Sequence, residues 1–187
     1  LDIGYHSILS GEGARLFALE QGFPSISAHT AKTLEEYVQT RMQFKALTYA
    51  AISGNIDDIN VKKLSTVGAV AIDGKGQLAA ACSTGGTKFC YPGRVGDTPI
   101  FGAGLYCSAH VAVACTGEGD KILRRLTARR VEDMFLQHGS LKRAVEEAVQ
   151  DLLHQEHGYA GIIAVAHTGE TAFAHSTAFM AYAEAAA

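Results

Sequence analysis

The sequence predicts a mixed α/β fold whose strands are covered on both faces. Three observations carry this expectation. Helical spacing of apolar residues is confined to two blocks, one near the start and one between about Asp120 and His154. The strand-like runs between and after them are small and β-branched apolar residues with little polar alternation, the pattern of strands buried on both sides. The element order is therefore helix, helix, strands, two helices, strands. A four-layer sandwich of two sheets between helix layers satisfies that demand. A three-layer arrangement does as well, and periodicity alone does not choose between them. The 187 residues fit a single domain, 1–187, long enough to bury roughly 70% of its unfolded surface.

Taken in order, Ala14 to Gln21 reads as a short helix stopped by Gly22 and Pro24. Thr30 or Thr33 then caps a second helix running to about Ala51, with Leu34, Tyr37, Val38, Met42, Leu47 and Tyr49 at loose helical spacing. Residues 53–65 have linker composition: Gly54, aspartates and asparagine around Asp57, and Lys62-Lys63. Thr66 to Asp73 (TVGAVAID) and Leu78 to Ser83 read as two strands joined by Asp73-Gly74-Lys75-Gly76, a hairpin turn with both glycines expected at positive φ. A Gly-rich loop spans Gly85 to Gly104, and Ala109 to Cys115 is a third buried strand. One amphipathic helix is expected over about Asp120 to Gln137 and another over Ser140 to His154, with Gly139-Ser140 as stop and N-cap. Gly161 to Ala166 and Thr171 to Ser176 close the chain as strands.

Composition narrows the function classes. Apolar residues make up 48%, charged residues 19%, and the net charge is -3. No basic block or arginine–aromatic interleaving suggests a nucleic-acid partner. The apolar runs are far shorter than a membrane span, and Leu1 to Gly4 lacks the charged leader and long apolar stretch of a signal peptide. Cys82, Cys90, Cys107 and Cys115 form no C-x-x-C pair. A zinc site is therefore not expected, and reduced thiols in the cytoplasm are. No metal and no cofactor are expected.

Neither a G-x-S-x-G elbow, a phosphate-binding GK[ST] loop nor H-E-x-x-H occurs. Three clusters do place hydroxyls or charges beside glycines at strand ends. They are Ser65-Thr66-Val67-Gly68; Ser83-Thr84-Gly85-Gly86 with Pro92-Gly93-Arg94-Val95-Gly96-Asp97; and Cys115-Thr116-Gly117-Glu118-Gly119. Glycines let backbone N–H groups approach a ligand closely. Each cluster also has a purely structural reading. Thr66 is a β-former that opens a strand, Thr84 and Thr116 are strand-end hydroxyls, and Arg94 with Asp97 is an i, i+3 surface ion pair. The histidines read as surface or loop residues without a role.

Together, in this order and at these spacings, TVGAVAID, STGG, PGRVGDTPIFGAG and TGEG resemble the catalytic half of the plant-type L-asparaginase and isoaspartyl peptidase family of N-terminal-nucleophile hydrolases. GEGARLFALEQGFP from Gly11 extends the resemblance over most of the chain. Glycosylasparaginase and threonine aspartase are the family's relatives, and Gly86 to Phe89 (GTKF) is faintly similar to the former.

The resemblance implies a four-layer αββα sandwich, and it implies cleavage between Ser65 and Thr66. That cut would divide the chain into the end of a light chain (1–65) and a catalytic heavy chain (66–187). The family's first N-terminal segment has no counterpart in this chain. The family usually has glycine where Ser65 stands. Thr66 would be the nucleophile, its freed α-amino group acting as base. Thr84 would hydrogen-bond its hydroxyl, and Thr116 with the Gly117 N–H would form the oxyanion hole. Arg94, Asp97 and Gly119 would bind the substrate head group. The implied substrates are asparagine and β-aspartyl dipeptides, and the implied assembly is a homodimer of cleaved heterodimers. An uncleaved, inactive protein and a glycosylasparaginase are the alternatives.

Overall fold

The computed structural model describes residues 7–25, 30–32, 34–39, 66–87 and 93–186. They belong to two compact units, Leu1–Ile59 and Asn60–Ala187. In the first unit, helix α1 spans Gly11–Glu20. It starts three residues before the expected Ala14. Glu12 in the first turn favours the positive helix end and pairs with Arg15 one turn on, which offsets the poor propensity of Gly11 and Gly13. Residues 31, 32 and 34–39 are helical. The Leu34 N–H donates to the Thr30 carbonyl at 3.0 Å, so of the two candidate caps Thr30 stands at the helix start. The rest of that helix, the stretch 53–65 and Cys90 lie outside the described residues.

The second unit holds the described strands. β1 (Thr66–Ile72) and β2 (Leu78–Thr84) form an antiparallel hairpin, with Thr66 opposite Thr84 at its open end. The closed end is set by Asp73, whose Oδ1 accepts the N–H groups of Lys75 and Gln77, both at 2.8 Å, an Asx turn. Of the two glycines there, only Gly76 adopts positive φ, at 78°. The side-chain acceptor already turns the chain at Gly74.

β3 (Leu105–Cys107), β4 (Val111–Gly117), β5 (Ala160–Ala166) and β6 (Thr171–His175) make a second antiparallel sheet in that order. β3 falls just after the segment read as a loop, and β4 lies two residues later than expected. Ser108 explains the shift: its Oγ accepts the N–H groups of His110 and Val111 at 2.9 and 3.3 Å, turning the chain so that pairing restarts at Val111.

The sheet divides its residues by period two. Val111, Val113 and Cys115 with Ile162, Ala164 and Ala166 face the helices and belong to the main core. Ala114 and Ile163 face the β1–β2 hairpin, where a Cβ on Gly68 would stand 3.0 Å from the Ala114 Cβ and 3.7 Å from the Ile163 Cδ1. Small residues thus let the two sheets approach. The described residues of this unit form three layers: helices, four-stranded sheet, hairpin. Cover on both faces holds for β4 and β5 but not for β1 and β2, which contain no buried residue. Val67 is 74% exposed, because no described element packs on the outer face of the hairpin.

The helix expected over Asp120 to Gln137 is two helices, α2 (Gly119–Arg125) and α3 (Thr127–His138). Leu126 between them is left-handed, at φ 48°. The break is tertiary in origin. The first N–H groups of α3, at Ala128 and Arg129, donate to the carbonyls of Ala103 and Gly102 at 3.0 and 2.9 Å. α4 (Leu141–Glu156) begins at Ser140, whose side chain accepts from the Arg143 N–H, following Gly139 at φ 69°.

One buried carboxylate ties α3 to the sheet. Glu132, 4% exposed, accepts from Tyr106 Oη at 2.8 Å, from Ser108 Oγ and from His110 Nδ1 at 2.9 Å, and it pairs with Arg129 at 2.9 Å. Burial alone would raise its pKa, but the three hydrogen bonds and the guanidinium outweigh burial and hold the carboxyl below its ordinary range. A depressed carboxyl stabilises the fold above that range and loses the contribution as pH falls through it. Glu132→Gln is expected to cost about 2 kcal/mol at neutral pH. The gap to the parent should close below about pH 4, as read by thermal unfolding at several pH values.

Candidate active site

The open end of the hairpin, the loop following Gly93 and the end of β4 enclose a cavity of about 300 Å³. Its lining includes Thr66, Thr84, Gly85, Gly86, Thr87, Arg94, Gly96, Asp97, Gly117 and Gly119. Residues from all three glycine-flanked clusters therefore meet in one place. Thr66 and Thr84 do so because register pairs them. The Thr66 hydroxyl lies 3.3 Å from the Thr84 hydroxyl, which also accepts the Gly86 N–H at 3.1 Å. Ser65 lies outside the described residues.

Asp97 is 7% exposed. Its side chain occupies space that only glycine leaves open: a Cβ on Gly119 would stand 2.4 Å from Asp97 Oδ1, and one on Gly104 would stand 2.7 Å from Oδ2. Among the described residues Oδ2 has no hydrogen-bond partner. Burial pushes the Asp97 carboxyl up, against the pull of nearby backbone N–H groups and Arg94. A buried carboxylate oxygen with an unspent acceptor is suited to a cationic group of a ligand.

Arg94 does not form the i, i+3 surface pair with Asp97 that its spacing allowed. Its guanidinium bonds Asp120 through Nε, at 3.3 and 3.2 Å from the two carboxylate oxygens, and through Nη2 at 2.8 Å. The Nη1 side lies against Gly96, where a Cβ would be 3.1 Å away. Arg94 is mostly enclosed and Asp120 mostly exposed.

Gly117 has φ 143°, and a Cβ there would meet the Tyr159 carbonyl oxygen at 2.1 Å. The Cys115 N–H donates to the Gly104 carbonyl, whereas the Glu118 N–H donates to Tyr159. By strand alternation the Gly117 N–H points to the Gly104 edge, away from β5. Thr116 does not line the cavity. It pairs with Gly161 across β4–β5, and its methyl lies 3.1 Å from where a Gly161 Cβ would be. Among the described residues no histidine lines the cavity either; His110 and His138 bond Glu132 and Glu147.

Sequence reasoning passed over Asp120, Glu118 and Gly104. Asp120 reads as an ordinary first-turn acid, and nothing in one dimension places Gly104 against Asp97.

A sequence model of the family described as Asparaginase matches residues 1–187. The chain belongs to that family. Isoaspartyl peptidases from Salmonella typhimurium and Escherichia coli are each 41% identical to this asparaginase-family chain, over 89% and 92% of it and 54% of their own lengths. A plant-type L-asparaginase from Pyrobaculum calidifontis is 37% identical over 97% of the chain and 60% of its own length. The chain thus spans a little over half the length of these curated relatives. Among the described residues, no helix is long and apolar enough to cross a membrane.

Proposed function

We propose that the protein hydrolyses the side-chain amide of L-asparagine and the isopeptide bond of β-aspartyl dipeptides, using Thr66 as nucleophile. The observation that carries this reading is the shared cavity. A threonine hydroxyl at the first residue of β1 faces the same space as a guanidinium and a buried carboxylate with an unspent oxygen. The names of the relatives, isoaspartyl peptidase and plant-type L-asparaginase, agree with it.

In this reading the Ser65–Thr66 bond is cut, dividing the protein into a light chain ending at Ser65 and a heavy chain beginning at Thr66. The cut frees an amine whose reference pKa of roughly 7.7–8.0 suits a base near neutral pH. The amine takes the proton of the Thr66 hydroxyl, which Thr84 positions. Arg94 receives the substrate α-carboxylate through planar donors, and Asp97, packed against Gly119, receives the α-ammonium. The attacked amide oxygen takes up negative charge opposite the Gly117 N–H. Thr116 is assigned the second donor by the resemblance. Ammonia or an amino acid leaves, and water then releases aspartate from Thr66.

The four-layer αββα sandwich, the cytoplasmic location and a homodimer of cleaved protomers belong to the same proposal. Their support is the resemblance together with the uncovered β1–β2 face.

Intact-mass analysis of the purified protein after prolonged incubation tests the central step. The expected result is two fragments meeting at Ser65/Thr66, together with ammonia release from asparagine and leucine release from β-aspartyl-leucine. A single uncut species without either activity would favour an inactive precursor. Turnover of only a sugar-linked asparagine would favour glycosylasparaginase chemistry.

A further inference from the structure

We propose that Glu118 is a positioning residue for the reaction, holding the Gly117 N–H where the amide oxygen becomes negative. The inference rests on the reading of Gly117 as an oxyanion donor. Glu118 stands between two glycines, Gly117 and Gly119. Backbone of that composition has wide conformational freedom, whereas an oxyanion donor works only if its direction is set before the charge develops. Glu118 removes the freedom from both sides of the chain.

Its N–H donates to the Tyr159 carbonyl at 3.0 Å, and its Oε2 accepts the Tyr159 N–H at 2.9 Å. The Lys121 ammonium joins the same oxygen at 3.2 Å and reaches the His157 carbonyl at 3.0 Å. The carboxylate is about one-third exposed and the ammonium about one-quarter. Glu118 and Lys121 therefore staple the Gly117–Gly119 bend to the turn that enters β5. Neither residue lines the cavity, so their action on chemistry runs through the backbone.

The role separates two kinetic constants. Arg94 and Asp97 come from another loop and touch the bend only on its helical side, at Asp120 and Gly119, so ground-state binding should change much less than the rate. Oxyanion stabilisation is made only in the transition state, so its loss appears in kcat.

Glu118→Gln keeps an acceptor for Tyr159 but loses the charge pairing, and Glu118→Ala loses both. With β-aspartyl-leucine, kcat is expected to fall about threefold for Glu118→Gln and about 30-fold for Glu118→Ala. KM and the affinity for L-aspartate, followed by calorimetry, should stay within about twofold of the parent. Lys121→Ala should also lower kcat, and the double variant with Glu118→Gln should lose less than the two effects combined, because both remove the same ion pair. A parent-like kcat in Glu118→Ala would overturn the proposal. So would a loss of L-aspartate affinity matching the loss of rate, since that marks general damage to the site. A parent enzyme that cleaves no β-aspartyl substrate would instead overturn the underlying reading of the cavity.

Discussion

Thr66→Ala is expected to abolish both ammonia release from asparagine and the appearance of two fragments. The loss of turnover should be on the order of 10⁵-fold or more, as when other enzymes lose their nucleophile. One residue carries two duties in the proposed chemistry. Its hydroxyl attacks, and its α-nitrogen, once freed from Ser65, accepts the proton. The local geometry supports the first duty. The Thr66 hydroxyl lies 3.3 Å from that of Thr84, which is itself oriented by the Gly86 N–H. A lysine is almost wholly protonated at neutral pH, whereas a free α-amino group, with a reference pKa of roughly 7.7–8.0, is roughly one-tenth neutral at about pH 7 and half-neutral near pH 8. Thr66→Ser retains both groups and should keep measurable activity. Parent-like ammonia release by Thr66→Ala, in a protein shown by mass to carry the substitution, would end the assignment.

Gly117→Ala is the second large effect. A methyl at this position would stand 2.1 Å from the Tyr159 carbonyl oxygen and 2.8 Å from the Ala160 Cα, in a residue with φ 143°. Both obstructing atoms are backbone at the start of β5, so they have no rotamer to yield with, and alanine rarely adopts that φ. The bend after β4 must move, taking the Gly117 N–H with it. A lost oxyanion donor lowers kcat by about 10²–10³-fold, and the displaced β4–β5 junction should lower the melting temperature as well. L-aspartate binding should fall less than the rate where folding persists, because Arg94 and Asp97 come from a different loop and touch this bend only beyond Glu118. Full activity in Gly117→Ala would show that this amide is not the donor.

Much of the candidate site is legible in the sequence. Thr66, Thr84, Arg94, Asp97, Gly117 and Gly119 stand out as hydroxyls and charges beside glycines, and the structure brings all six to one cavity. Thr116, read from the same motif, pairs with Gly161 on the sheet face that carries Ala114, toward the hairpin, but is not among the residues lining the cavity. The purely structural alternative of an Arg94–Asp97 surface pair is not what forms: folding brings the Asp120 carboxylate to 2.8 Å from Arg94, a partner the spacing does not suggest. Asp97 is instead buried between Gly104 and Gly119, a pairing that no linear distance suggests.

The same division runs through the fold. Local chemistry alone determined the hairpin at Asp73 to Gly76, the Gly139-Ser140 boundary, the strand identity of β1, β2, β4, β5 and β6, and the family. Each depends on neighbours a few residues away or on an ordered set of motifs. Tertiary structure decided the break at Leu126, the exposure of β1 and β2, and the direction of Arg94. In each case the deciding partner lies far along the chain: the Gly102 and Ala103 carbonyls for α3, the sheet that the hairpin lies on, the acid that Arg94 finds. A hydrogen bond or a packed face costs chain entropy to assemble from distant segments. Its outcome therefore depends on the whole fold and leaves no mark on the residues it joins.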